Sequence, residues 1–463
     1  MRGSRVRRSA VAAVTVLGLA LAAVGCTDGP DEPSPAPTPT PTATTPRSLT
    51  FGVYGRSEEL AAFRSSVDTW NRTTDGPRVR QQEWSSRAQM RAAIEDGAEL
   101  PDVFLASRSD LRWLLDKKFT QPVDELLDER GISFGDGYSR EAIEAFSAEG
   151  RLQCMPYGVS PMVIYYNTDL VDLDRMRARG FDVPDVEATS WSFEQFAAAA
   201  EFASRTRRGT RGVHVAPTLS GLSPFIESGG GSVYDDRDDP KSLSFSSDDS
   251  RAALERTLQL LRNPQITLGP DQLDQAPALT WFERGKLGML AGFRDLTPRL
   301  RQVAGLDFDV LPMPVLDSAA TVGDVTALCL SRKAASTPLA ADFMVHELSA
   351  ASVAQVARTG YLVPANLEVA LADPFLQPGR EPAHATFFNS TVRAMDVDPL
   401  VDTLPTLEVA VTPDLVQLVY GVGLLDLDGV TERIDETSRP ILDPDYTPEP
   451  SPSESAESTG SAE

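Results

Sequence analysis

Cysteine, histidine and aromatic residues are scarce in this chain of 463 residues, which holds three cysteines, three histidines and 7% aromatics. Three cysteines are too few for a disulfide scaffold. His214, His346 and His384 share no short ligand spacing, so nothing points to zinc or any other metal. Basic residues are short as well: 43 lysines and arginines face 67 acids, for a formal charge of −24. Such a surface repels phosphate backbones, and nucleic acid is excluded as a partner. After residue 24 no apolar run reaches the ~18 residues of a membrane span. Also missing are a Gly-x-Ser-x-Gly elbow, a Ser-x-x-Lys motif and a phosphate-cradling loop, the usual marks of common catalysts and nucleotide cofactors. What is present, 41% apolar residues in a long chain, supplies a full core and room for two or three domains.

The two ends do not belong to that core. Met1 to Arg8 is basic, Ser9 to Val24 is small and apolar, and Ala23-Val24-Gly25-Cys26 follows. This resembles a lipoprotein signal, which implies removal of residues 1–25 and lipidation of Cys26. The prolines at 30, 33, 35, 37, 39, 41 and 46 make residues 26–47 an extended spacer of about 60 Å, at ~3.1 Å per residue. Residues 443–463 are Pro, Ser and acid-rich and read as a disordered tail.

Between the ends the pattern is α/β. Leu49 to Tyr54 reads as a strand broken by Gly55, and Ser57 as the cap of a helix with Leu60, Phe63, Val67 and Trp70 on one face. A strand over 79–84, a helix over 87–98 and a strand over 102–106 complete a parallel sheet covered by helices. Ligands bind beyond the carboxyl ends of such strands, which places Tyr54 to Ser57 and Ser107 to Asp110 at a cleft mouth. The stretch from Glu149 to Leu170, EGRLQCMPYGVSPMVIYYNTDL, reads as a buried strand crossing the middle of the molecule.

That stretch also resembles the crossover segment of the bacterial extracellular solute-binding proteins, the carbohydrate-type receptors of ABC importers. Further segments are similar to theirs, in the same order: Trp191 to Phe196 with Ser192 as N-cap, Phe282 to Met289, Leu311 to Pro314, the Gly323 turn, a strand over 325–330, a helix over 337–349, and Gly360 to Ala365. The resemblance spans roughly Ser48 to Glu436. It implies a two-lobed periplasmic-binding-protein fold of type II, each lobe a sheet flanked by helices, with a three-segment hinge. Lobe one is then 48–156 with 328–374, and lobe two 160–322 with 380–440.

It implies equally a monomer on the outer face of the cell membrane, held by lipid and serving ABC permease subunits. It captures a small solute, a sugar first of all, and uses no cofactor. Sugars ask for aromatic faces together with carboxylates, amides and arginines. On the implied cleft rim these are Tyr54, Arg56, Ser107, Arg108, Tyr157, Ser160, Phe293, Arg294, Asp295 and Asp324, with Phe225 nearby. Tyr157 is either a ligand contact or a prop for the hinge; Tyr54 either contacts ligand or caps the sheet. Arg294 with Asp295 is otherwise a surface ion pair. The family commonly carries a stacking Trp near 293 and aromatics near 219–225; here only Phe293 and Phe225 stand there. A small sugar, or a polar ligand gripped by arginine, therefore fits better than a long oligosaccharide.

The resemblance puts Cys154 and Cys329 on adjacent hinge strands, as a disulfide or as two buried thiols. Asp235 to Asp239 lacks the alternating ligands of a calcium loop and reads as a solvated turn. Two other functions stay open: a surface lipoprotein that senses or adheres without transport, and a glycan-acting enzyme with paired carboxylates.

Overall fold

The computed structural model describes residues 48–135, 137–185 and 189–447. Cys26, the signal segment, the spacer and residues 448–463 of the tail lie outside the described residues.

Three parallel strands begin the first sheet. Leu49–Tyr54 lies between Val79–Trp84 and Val103–Ser107, in parallel register with both. Two helices, Ser57–Thr73 and Arg87–Glu95, make the connections. Arg56, not Ser57, is the cap of the first helix, and the Glu59 carboxylate accepts its N–H at 3.0 Å. Gly55 allows this tight exit from the strand: its φ is +155°, and a Cβ there would sit 2.9 Å from the Glu59 carboxylate.

The sheet continues with an antiparallel strand, Thr321–Ser331, beside Val103–Ser107, then Cys154–Pro161 and the short Val363–Pro364. The second sheet has the order Phe308–Leu311, Val163–Asn167, Leu287–Gly292, Arg211–His214. The stretch expected as one strand is thus two, belonging to different sheets. Pro161 has no N–H to continue the first ladder, and the chain changes sheet at Met162. Both backbone groups of Met162 are taken by the next crossing: its N–H donates to the Val322 carbonyl at 2.9 Å, and its carbonyl accepts the Thr321 hydroxyl at 2.7 Å.

The strands pass between the two sheets twice. The first is at Met162, and the second ends before Thr321, because Thr321–Ser331 is one unbroken strand of the first sheet. Helix Asp373–Leu376 packs on helices Ala350–Ala357 and Leu367–Ala370. Beyond it, Met395–Asp396 pairs with Thr321–Val322. Helices Leu404–Tyr420 and Leu427–Leu442 then pack against Leu219–Ser228 and Asp248–Leu261 around the second sheet. Ser192 caps helix Phe193–Ala203, with Gln195 completing a reciprocal cap.

Cys154 and Cys329 stand directly opposite in the antiparallel pair and are bonded, with both residues wholly buried. Asp235 spends its carboxylate on the N–H groups of Asp236, Lys241 and Ser242, which closes its own turn.

Candidate functional site

The parallel strands Leu49–Tyr54 and Val103–Ser107 end side by side, and the long antiparallel strand brings Asp324 to the same edge. Ser107 donates its hydroxyl to Asp324 at 2.9 Å, and the Asp324 carboxylate also takes the Val325 N–H at 2.9 Å. Burial pushes the Asp324 carboxyl up to about 6; the Ser107 bond and nearby Arg87 oppose the rise, and Asp398 adds to it. The Tyr54 hydroxyl is buried with no hydrogen-bond partner. Burial and then the negative charges of Asp324 and Asp110 hold it well above its ordinary range.

Arg108 follows the third strand in a short 3-10 turn in which the Ser107 hydroxyl accepts the Ser109 N–H. Its Nε and Nη1 are buried without partners. Desolvation lowers its pKa, while Asp398 and Asp324, the acids facing it, raise it. Asp110 is held differently, by Arg87 at 3.4 Å and Arg91 at 3.5 Å. Arg91 continues to Asp402 at 3.0 Å.

Asp398 arrives from far along the chain. Pairing of Met395–Asp396 with Thr321–Val322 sets the segment beside Asp324. Asp398 is an exposed residue; partial loss of water from its carboxylate and then Glu408 raise its pKa, with Arg108 opposing. Glu408 lies on helix Leu404–Tyr420; burial, and then the negative charges of Asp398, Glu408 and Glu227, hold the Tyr234 hydroxyl well above its ordinary range. On the other flank of Tyr54, Glu59 faces Arg56 and Asp295, and burial pushes it up to about 7.

The structure therefore gathers Tyr54, Ser107, Arg108 and Asp324 in one polar edge, and sets Arg56 with Asp295 beside it. Ser160 stands opposite Asp324 in the strand pair and is partly exposed. Phe293 is half-buried next to Asp295, its carbonyl accepting the Tyr165 hydroxyl at 2.8 Å. Three other expected residues lie elsewhere. Phe225 is 0% exposed and packs on Phe193 and Phe196. Arg294 is 0% exposed, its guanidinium between the rings of Phe375 and Phe388 at 4.8 and 5.0 Å, so it forms no surface pair with Asp295. Tyr157 is 1% exposed, packs on Phe63, and turns toward Glu347 and Tyr138 inside the first lobe. Its place is that of a core prop.

The residues that sequence reasoning missed are Glu59, Asp398, Glu408 and Tyr234. Glu59 had a signal, lying one turn beyond the cleft mouth; the other three had none. Among the described residues no group of His, Cys, Asp and Glu is arranged to hold a metal.

The model of the bacterial extracellular solute-binding protein family matches residues 67–384. The chain belongs to that family. No curated protein matches it in sequence. Among solved structures, the ABC substrate-binding protein Lmo0181 of Listeria monocytogenes, in complex with cycloalternan, is similar with a TM-score of 0.69 at 16% identity, covering 84% of this chain and 97% of that one. The GacH receptor of Streptomyces glaucescens, solved unliganded and with acarbose, gives 0.66 at 17%, covering 87% and 99%. The maltose-maltodextrin binding protein of Alicyclobacillus acidocaldarius gives 0.65 at 18%, covering 84% and 99%. These likenesses show the fold that the family resemblance implied, the two-lobed type II periplasmic-binding-protein architecture.

Proposed function

We propose that the protein captures a small polar solute, a sugar first of all, between its two lobes and delivers it to the membrane subunits of an ABC importer. The observation that carries this reading is the polar edge itself: Ser107, Arg108, Asp324 and Asp398 gathered where two sheets meet at thin crossings. Partly enclosed donors and acceptors of this kind suit hydroxyl groups, and a ligand touching both lobes stabilises the closed form. The protein binds and releases; it makes no bond. Lipid on Cys26 and the proline-rich spacer hold the receptor outside the membrane, as a monomer.

A thermal-shift panel of mono- and disaccharides, amino acids and polyols tests the capture, because a ligand in excess raises the melting temperature by linkage. A shift with a sugar is expected, and silence across the panel overturns the reading. Fatty-acid labelling lost in Cys26→Ala tests the anchor; an unlabelled wild-type chain refutes it. The second reading is sensing or adhesion without transport, favoured by the positions where the family commonly carries stacking rings: only Phe293 and Phe225 stand there, and Phe225 is packed in the core. Absence of permease genes beside its own would speak for that second reading.

A further inference from the structure

The chain that follows strand Leu287–Gly292 of the second sheet carries two arginines that no acid answers. Arg294 is wholly buried between the rings of Phe375 and Phe388; its Nη2 donates to the Phe375 carbonyl at 3.4 Å, while Nε and Nη1 have no partner. Arg301 gives its Nε to the Glu381 carbonyl and its Nη1 to the Gln377 amide oxygen, and its Nη2 is buried without a partner. Arg380 points Nη1 at that same Gln377 oxygen, at 3.4 Å, so two guanidinium groups meet at one neutral acceptor. Gln377 is fixed in turn by donating to the carbonyls of Arg358 at 2.9 Å and Pro374 at 3.2 Å.

Beside this cluster opens a cavity of about 340 Å³, lined by Arg358, Asp373, Pro374, Gln377 and Arg380. Arg358 and Arg380 are exposed, and among the described residues none of the four arginines pairs with a carboxylate. Asp373, the one acid of the lining, is exposed and lies beyond ion-pair distance of them. Burial and then the charges of Arg294 and Arg380 push Arg301 down to about 10, so the cations crowd one another.

In a chain with 67 acids against 43 basic residues, four arginines gathered without a paired carboxylate are not a by-product of composition. Like charges held together where water is scarce cost stability, and an anion among them offsets that cost. Arginine forks match the oxygens of phosphate and sulfate, and the cations behind the rim raise the local positive potential.

We propose that this cavity binds a small tetrahedral oxyanion, of the phosphate or sulfate class, on the Arg358 and Arg380 guanidinium groups beside Gln377. The site shares no residue with the edge that holds Ser107 and Asp324, and it does not depend on the capture proposed above.

Calorimetric titration of the full chain with inorganic phosphate and with sulfate, in chloride buffer of constant ionic strength, is expected to show saturable binding of a single ion. The double variant Arg358→Gln, Arg380→Gln removes the rim charge from two exposed positions and should weaken binding about tenfold or more; either single variant serves should the double fail to fold. Asp373→Asn removes the opposing charge and should tighten binding. A general salt effect raises the melting temperature of every variant alike, whereas an occupied site raises that of the wild type more than that of the double variant. Absence of saturable binding, or equal binding by wild type and double variant, overturns the proposal. Vesicles containing phosphatidic acid separate a lipid headgroup from a free ion: capture on them without binding of the free ions overturns it as well.

Discussion

Thr321 and Met162 clasp the first two crossings together, the threonine hydroxyl donating to the methionine carbonyl at 2.7 Å while the Met162 N–H donates to the neighbouring Val322 carbonyl. Thr321 is wholly buried, so this bond lies at the point where the chain leaves one sheet and enters the other. Gly323, two residues on, permits the close approach, since a Cβ there would lie 2.6 Å from the Ser160 carbonyl. These two passages are therefore bonded to each other, a connection able to bend as one.

Thr321→Val keeps the shape of the side chain and deletes the donor, leaving the Met162 carbonyl buried without it. A loss of roughly 1–3 kcal/mol is expected. Urea unfolding measures it, and small-angle scattering of the free chain should show a broader spread of lobe separations than the wild type. An unchanged midpoint would show that the clasp does not hold the hinge.

The Cys154–Cys329 bond joins the same two strands across a sequence separation of 175 residues. Closing so long a loop restricts the unfolded chain, worth about 5 kcal/mol in the chain-entropy treatment. The double variant Cys154→Ala, Cys329→Ala should melt well below the wild type. Thiol titration of the denatured, unreduced mature protein should find no free group with Cys26 acylated.

Much of this arrangement is legible in the sequence, and the divide follows range. The parallel strands, the Ser192 cap and the 149–170 stretch rest on local patterns, and the cleft mouth at Tyr54 and Ser107 follows from the strand order alone. Asp398 carries no such signal, because it reaches the cleft only through the pairing of Met395–Asp396 with a strand about seventy residues earlier. Arg294 misleads for another reason. Adjacent residues in a helical turn do not share a face, so Arg294 points inward at two aromatic rings while Asp295 stays exposed.

That contrast between two arginines can be measured. Arg108 presents unpartnered nitrogens at the cleft, and Arg108→Met is expected to weaken ligand binding at least tenfold. Arg294 is a buried cation without a carboxylate partner, so Arg294→Met should leave affinity within a factor of two and the melting temperature equal or higher. Calorimetric titration with whichever ligand the panels find decides both, and equal losses in the two variants would contradict the placement of Arg294 in the core.

Glu347 predicts a pH dependence of stability. It is 0% exposed under the crossover strand, neither carboxylate oxygen has a hydrogen-bond partner, and the neighbouring Ser66 hydroxyl bonds Ser352 and lies 3.2 Å from His346. Burial pushes its carboxyl up to about 8, with Ser66 opposing in part. The folded chain therefore keeps this proton at pH values where the unfolded chain, near the ordinary 4.5, has released it. Folding then binds a proton, so stability falls as pH rises from about 4.5 to about 8 and levels off beyond, with a slope of at most ~1.4 kcal/mol per pH unit. His346, held below its ordinary range by burial, and the Tyr157 and Tyr138 hydroxyls, held above theirs, face the same interior. Glu347→Gln cannot titrate and should flatten that slope, whatever constant cost its amide brings. Denaturant midpoints taken every half unit from pH 5 to 8.5 give both curves; parallel curves would mean that Glu347 is ionised in the folded chain.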